Sequence, residues 1–177
     1  MTYATPSAPY VQALHQGGKQ KPTAIVLRPS FTNSKEGAAL AVAQFWHRSA
    51  NNFWDAGHYT VDADRRFRCV RDNVIAGVDD TAKGEIRIAM CADPFSKELF
   101  WNEDEHRHVL RNTAELVAEL SLAYRLKVEY LDETKMAQWR KKRSRRRGGI
   151  YVAEPRGFPF DAFLDEVLAQ RVLKTHI

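Results

Sequence analysis

Ala24-Ile25-Val26-Leu27-Arg28-Pro29-Ser30 is the stretch from which the fold of this chain can be worked out. Its four apolar residues directly follow Thr23, which predicts a buried β-strand over residues 23–27. The preceding residues 1–21 are polar and interrupted by glycine, so we expect an N-terminal arm or an irregular cap there. Arg28, directly after the strand, becomes central to the functional interpretation.

Helical and strand-like patterns alternate after this first strand. Ser34 is expected to cap a helix that continues through Ala50. The predicted buried face of this helix consists of Ala38, Ala41, Val42, Phe45, Trp46 and Ser49. Residues 57–61 and 66–70 then predict a β-hairpin around the turn 62–65. Residues 85–91 alternate in the same way and predict another strand.

Two further helices are predicted in the second half of the chain. Asn102 and Glu105 form a capping-box pattern before a long helix of about six turns. Its apolar stripe contains Val109, Thr113, Leu116, Val117, Leu120 and Tyr124. A final helix is expected to bury Phe160, Phe163, Leu164, Val167 and Leu168. This order predicts an α/β fold with a mixed central β-sheet of four or more strands, flanked by about three helices.

Composition favours one domain over residues 1–177. The chain has 177 residues, of which 44% are hydrophobic, and this is enough for one compact core. No apolar run is long enough to span a bilayer, and residues 1–6 do not have the pattern of a signal peptide. Cys69 and Cys91 lie in strand-like segments without metal-site spacing, so we expect buried, reduced thiols.

The net charge of +5 comes from one basic run. Seven of the eight residues 140–147 are positive: Arg140, Lys141, Lys142, Arg143, Arg145, Arg146 and Arg147. A basic loop of this kind can bind nucleic acid, an anionic cell-wall polymer or an acidic protein patch, because each neutralised anion releases counterions. The alternative is a solvated loop without a partner. The run contains no aromatic residue that could stack on bases, which disfavours specific recognition of single strands.

In order and spacing, these segments resemble the type 2 N-acetylmuramoyl-L-alanine amidases, which share their fold with peptidoglycan recognition proteins. The likeness is greatest to the amidase modules of lysins from actinobacterial phages. The residues that carry the resemblance are 24–27, 57–64, 85–90, 115–120, 148–150, 154–155 and 158–164. They imply an amidase-like fold over about residues 23–170 and a zinc site that activates water for hydrolysis of the lactyl amide.

The residues that the family uses to bind zinc do not match in this sequence. Arg28 stands at the first ligand position, where its positive charge would repel zinc. The loop that should carry the second ligand is shortened, because Tyr151 is followed after two residues by Glu154. The third position falls on or near Glu154, which cannot hold a metal ion alone. Ala89 replaces the glutamate that the family uses to position water or move protons. The resemblance therefore implies a cofactor, zinc, for which the ligands are missing.

The histidines of the chain do not form an obvious replacement site. His106 and His108 are two residues apart, so on a helix they point in different directions. His58 matches a histidine that is frequent in the family's hairpin, where it has a structural or rim role. His47 lies on the first helix beside its core face and is expected to cap the helix or to make a hydrogen bond. The sequence contains no nucleophile-elbow pattern that would indicate a serine hydrolase.

The turn of the predicted hairpin also departs from the family. Its Asp-x-Asp pattern usually ends in glycine, because that position requires a positive φ. Arg65 stands there instead. Arginine would cost about 1 kcal/mol in this conformation or would force another turn.

These observations predict a catalytically inactive amidase-like module encoded by a phage. Its partners would be other virion proteins or peptidoglycan, and it would be found in the virion or in the host cytoplasm before assembly. For wall binding, the candidate rim is Arg28, His58 and Arg87, where the arginines can pair with carboxylates of a stem peptide. Internal salt bridges that fill the former zinc pocket are the alternative role for the two arginines. For assembly, the N-terminal arm, the basic run and residues 171–177 can pack against neighbouring subunits.

Two other functions stay open at this point. An active amidase with unconventional metal ligands would lose its activity to chelators and regain it with zinc. A nucleic-acid-binding protein would use residues 140–147, and its affinity would fall steeply with salt.

Overall fold

A mixed β-sheet forms the centre of the protein. The computed structural model describes residues 4–30, 37–48, 56–77, 80–92, 101, 104–142 and 146–176. Within these residues the main sheet has five strands in the order β4-β3-β6-β2-β7. They are β2 (Ala24–Pro29), β3 (Tyr59–Val61), β4 (Arg66–Arg68), β6 (Glu85–Met90) and β7 (Ile150–Val152). A small antiparallel pair consists of β1 (Gln16–Lys19) and β5 (Val74–Ala76).

Four strands of the main sheet run parallel. β2 pairs with β6 along its whole length, from Ala24 opposite Glu85 to Pro29 opposite Met90. β7 lies on the other side of β2, and β3 pairs with the other edge of β6. β4 is antiparallel to β3 and completes the predicted hairpin. Because side chains alternate along a strand, neighbouring residues of β2 and β6 serve opposite faces of the sheet.

The first face packs against two long helices, α2 (Asp104–Tyr124) and α4 (Phe160–Thr175). β2 and β6 contribute fully buried aliphatic side chains to this core. The core includes Ile25, Leu27, Ile86, Ile88, Val109, Leu116, Leu120, Phe163 and Val167. The apolar stripe predicted for the long helix is confirmed. In the final helix, the prediction that Leu168 is buried is wrong, because this residue is 47% exposed.

The second face is covered by two shorter helices, α1 (Ala38–Arg48) and α3 (Glu133–Lys141). Trp46 of α1 packs in a cluster with Phe67 and Ala89, whereas Met136 and Trp139 of α3 pack on Ala24 and Val26. Arg28 and Arg87 belong to neither cluster and lie between the areas that the helices cover. We use the word cleft only as a name for this strip of the sheet face between the areas packed by α1 and α3, which carries the two arginines.

Several predicted boundaries and faces need correction. Ala41 and Phe45 are exposed, because the buried side of α1 is formed by Ala39, Val42, Ala43 and Trp46. Residues 140–141 belong to α3 and not to a loop. Asp132 caps the start of this helix by accepting a hydrogen bond from the Lys135 N–H at 2.8 Å. The predicted caps Ser34 and Asn102, and the predicted helix end at Ser49 and Ala50, lie outside the described residues.

The strain expected at Arg65 in the hairpin turn is not present, and hydrogen bonds to Asp62 shape the turn instead. Arg65 does not have a positive φ. The buried Asp62 carboxylate accepts hydrogen bonds from the backbone N–H groups of Asp64 and Arg65, at 2.9 and 2.7 Å. Its other oxygen accepts from the Ala39 N–H at 2.9 Å, in the first turn of α1. One carboxylate therefore shapes the turn and caps a helix that is distant in sequence.

Both cysteines are buried thiols that form no disulfide, as expected from the sequence. Burial raises the pKa of the Cys69 thiol to about 12, so its reactive thiolate is strongly disfavoured. Among the described residues, no helix combines the length and the apolar character that crossing a membrane requires.

Candidate functional site

Arg28 lies near the carboxyl end of β2, on the sheet face that α1 and α3 pack against. It is partly exposed, and its register partner on β6 is the buried Ala89. Ala89 in turn pairs with the buried Thr60 of β3. The resemblance places catalytic groups in this row of neighbouring residues across the sheet. The row carries the guanidinium of Arg28, the methyl group of Ala89 and the hydroxyl of Thr60.

A buried carboxylate on the same face of β6 holds two arginines. The Glu85 side chain is fully buried. Its Oε2 accepts a hydrogen bond from Arg87 Nε at 3.1 Å, and its Oε1 accepts one from Arg140 Nε at 2.8 Å. The Arg87 side chain is 15% exposed and that of Arg140 is 44% exposed. We call Glu85, Arg87 and Arg140 the ion cluster.

The ion cluster connects α3 to the sheet. Arg140 lies in the last turn of α3, and its guanidinium carbon is 5.8 Å from the centre of the Tyr151 ring on β7. Partial burial is the main cause that raises the pKa of Tyr151, so its hydroxyl stays protonated near neutral pH. The two arginines and one glutamate leave a net positive charge on this side of the cleft.

His58 is buried in the interior and does not form part of a rim. Its Nδ1 accepts a hydrogen bond from the Arg87 N–H at 3.0 Å, and its Nε2 donates to the Val74 carbonyl at 2.8 Å. The Gln20 amide packs against the same nitrogen at 3.1 Å. Both ring nitrogens are therefore engaged within the protein. Of the two roles that the resemblance implied for His58, structural or rim, this is the structural one.

His58 makes the stability of the fold depend on pH. Burial lowers the pKa of His58 from 6.5 to about 4, with a smaller lowering by Arg87 that Asp72 and the Val74 carbonyl oppose. Between these values the unfolded chain binds a proton that the folded chain does not. We expect this one group to remove about 3 kcal/mol of stability as the pH falls from about 6.5 to about 4.

Urea unfolding at several pH values tests this expectation. His58→Gln should be less stable than the wild type at pH 7 and should lose less stability on acidification. His176→Gln changes an exposed histidine and should keep the wild-type slope. Equal slopes for wild type and His58→Gln would contradict a neutral, buried His58.

The described residues at the position where the resemblance places zinc do not fit a zinc ion. Arg28 offers only donor groups and a positive charge, and Ala89 offers no ligand atom. Glu154 is exposed, with a positive φ of 57°, and is a single carboxylate. Throughout the described part of the chain, no three His, Cys, Asp or Glu side chains are placed to share one metal ion. His106 is buried whereas His108 is exposed, so α2 holds them apart.

The basic run divides between the ion cluster and the surface. Arg140 binds Glu85, whereas Lys141, Lys142, Arg146 and Arg147 are exposed. Arg143 and Arg145 lie outside the described residues. The backbone at Arg146 is anchored, because the Trp139 indole donates to the Arg146 carbonyl at 3.0 Å.

Sequence reasoning missed Glu85 as a site residue. The charged pair Glu85 and Arg87 at alternate positions of an otherwise apolar strand was the available signal, because such residues share a face. The contact with Arg140 had no such signal, since it joins residues 55 positions apart.

Comparisons with known proteins identify the fold. The sequence matches no family model and none of the curated proteins. The structure is similar to the Staphylococcus aureus hydrolase AmiA in complex with its ligand, with a TM-score of 0.66, 14% identity, and coverage of 98% of this chain and 87% of that one. It is also similar to a mutant form of PlyL, with a TM-score of 0.65, 13% identity, and coverage of 93% and 99%.

The structure is also similar to a mutant endolysin from Bacillus subtilis, with a TM-score of 0.62, 14% identity, and coverage of 94% of this chain and 99% of that one. The chain therefore has an N-acetylmuramoyl-L-alanine amidase-like fold, as the resemblance implied. The predicted α/β class with a mixed central sheet is also confirmed.

Proposed function

We propose that this chain is a catalytically inactive amidase-like module that binds a partner and does not hydrolyse it. The observation that carries this proposal is the positive charge in the cleft, where Arg28 and the ion cluster lie on the face from which hydrolysis would be expected. A zinc-activated water needs ligand atoms that accept positive charge. Guanidinium groups oppose that requirement and instead favour anionic ligands.

The cleft suits a peptide with free carboxylates, such as a stem peptide of peptidoglycan. Arg28 and Arg87 lie on the same face of the sheet, one alternate position apart. Glu85 holds Arg87 in place, which reduces the entropy that its guanidinium loses on binding. A phage-encoded module of this type would attach a particle or a longer protein to the cell wall.

Zinc content and hydrolysis test the absence of catalysis. Tag-free protein purified without chelator should contain far less than one zinc per chain by elemental analysis. It should release no product from purified peptidoglycan, either with or without added zinc. About one zinc per chain together with hydrolysis would establish an active amidase with unconventional ligands and overturn the proposal.

Cosedimentation with peptidoglycan tests the partner. We expect Arg28→Gln to weaken binding, because one cleft cation is removed. Arg156→Gln removes the same charge from an exposed loop and should bind like the wild type. If neither the wild type nor the control binds peptidoglycan, the wall is not the partner.

A second candidate function, assembly into a virion, is favoured by the end of α4. Leu168, Val172 and Leu173 are 47%, 55% and 60% exposed, and Leu168 and Val172 are four residues apart, so they share a face of α4. Exposed apolar patches mark contacts with other proteins. Detection of the chain in purified phage particles, lost when Leu168 and Val172 are replaced with serine, would support this role.

A further inference from the structure

Exposed cations from separate segments meet at the end of the sheet opposite Arg28. This end holds the amino ends of the parallel strands, about 17 Å along β2 from its carboxyl end. Backbone hydrogen bonds join the segments there. Thr23 N–H donates to the Gly84 carbonyl at 2.8 Å, and Gly148 N–H donates to the Thr23 carbonyl at 2.7 Å. Lys127 N–H donates to the Gly148 carbonyl at 3.2 Å.

Six exposed basic residues flank these hydrogen bonds, and we call them the basal surface. They are Lys21, Lys83, Arg125, Lys142, Arg146 and Arg147. Within the described ranges none of the six has a carboxylate partner. The basic run in the sequence is therefore only part of a larger positive surface that the fold assembles.

The acidic groups that the structure describes near this surface do not cancel its charge. Glu85 lies beneath it at the start of β6, but Arg87 and Arg140 already neutralise its carboxylate. Glu129 is paired with Lys127 at 3.5 Å. Among the described side chains, no carboxylate therefore neutralises the six basal cations.

We propose that the basal surface binds the phosphate backbone of double-stranded nucleic acid without base-sequence preference. A duplex carries one negative charge per roughly 1.7 Å of its axis, so a patch of exposed cations releases many counterions on binding it. The six residues include no aromatic side chain, and the neighbouring Trp139 is buried with its indole bonded to Arg146. The surface can therefore contact phosphates but cannot stack on bases.

This proposal goes beyond the function of the cleft and does not depend on it, because none of the six basal cations belongs to the cleft and Arg28 lies at the other end of β2. Fluorescence anisotropy with a labelled duplex DNA, from about 50 to about 200 mM salt, provides the test. If all six cations contact phosphates, log K should fall with log salt at a slope of roughly −5. Lys83→Gln/Arg146→Gln/Arg147→Gln should reduce the slope by about 3 and weaken binding at least tenfold.

A matched variant separates a local surface from net charge. Arg107→Gln/Arg111→Gln/Arg156→Gln removes the same charge away from the basal surface. Arg107 and Arg111 lie near the start of α4, and Arg156 follows β7. It should bind DNA with nearly the wild-type slope. Equal weakening by both triple variants, or no binding at about 50 mM salt, would overturn the proposal. Tighter binding to polyglycerol phosphate than to duplex DNA would overturn it in favour of a wall polymer.

Discussion

Glu85→Gln is expected to destabilise the fold by about 3 kcal/mol or more, although it changes little in volume. The substitution removes the negative charge that Arg87 and Arg140 share. The Arg87 side chain is 15% exposed, so its guanidinium would keep its charge with little access to water. Urea unfolding at neutral pH measures the loss.

Two further variants show whether charge is the cause. Arg140→Gln should cost less than Glu85→Gln, because the Arg140 side chain is 44% exposed and Glu85 keeps Arg87. Glu85→Gln combined with Arg87→Leu should recover part of the lost stability, since no buried charge is then left alone. A Glu85→Gln variant as stable as the wild type would show that the cluster contributes no net stabilisation.

Gly149→Ala is the second substitution for which we expect a large effect, about 2–3 kcal/mol of lost stability. A Cβ at this position would lie 2.3 Å from the Glu129 carbonyl oxygen and 2.9 Å from its Cγ. The clash involves backbone on both sides, because Ile150 N–H also bonds that same carbonyl at 2.8 Å. Relief of the clash would therefore separate β7 from the segment after α2.

Gly18→Ala is the matched control for this substitution. Nothing lies within 4 Å of a Cβ built on Gly18, so the thermal midpoint of that variant should stay close to the wild-type value. Gly149→Ala should lower the midpoint by several degrees. Similar midpoints for the two alanine variants would mean that the contact at Glu129 relaxes without cost.

The sequence predicted the sheet and its two long helices well, because these elements bury strongly periodic residues. β2 and β6 contain uninterrupted or alternating aliphatic residues, and α2 has a stripe of about six turns. Helix α3 was missed because only Met136 and Trp139 mark its buried side. Its charged end looked like the start of a loop.

The candidate site was predictable only in part. Arg28 was found because it stands at the first ligand position that the resemblance implies, and Arg87 was named with it as a candidate rim residue. The alternatives of wall binding and internal pairing stayed open for both, and the structure shows an internal pair for Arg87. The burial of His58 could not be read from its hairpin. Its environment is made by Gln20 and Val74, which come from other segments of the chain.

The position of β2 in the sheet has a consequence for the order in which the chain can fold. β2 lies between β6 and β7, so one of its hydrogen-bonding edges waits for residues 150–152. On a ribosome, more than a hundred residues are added after β2 before that partner is made. During this interval a strand with four consecutive buried apolar residues has an open edge that can pair with other chains. We therefore expect fragments that end before Ile150 to aggregate during synthesis, while the chain that includes β7 protects this edge.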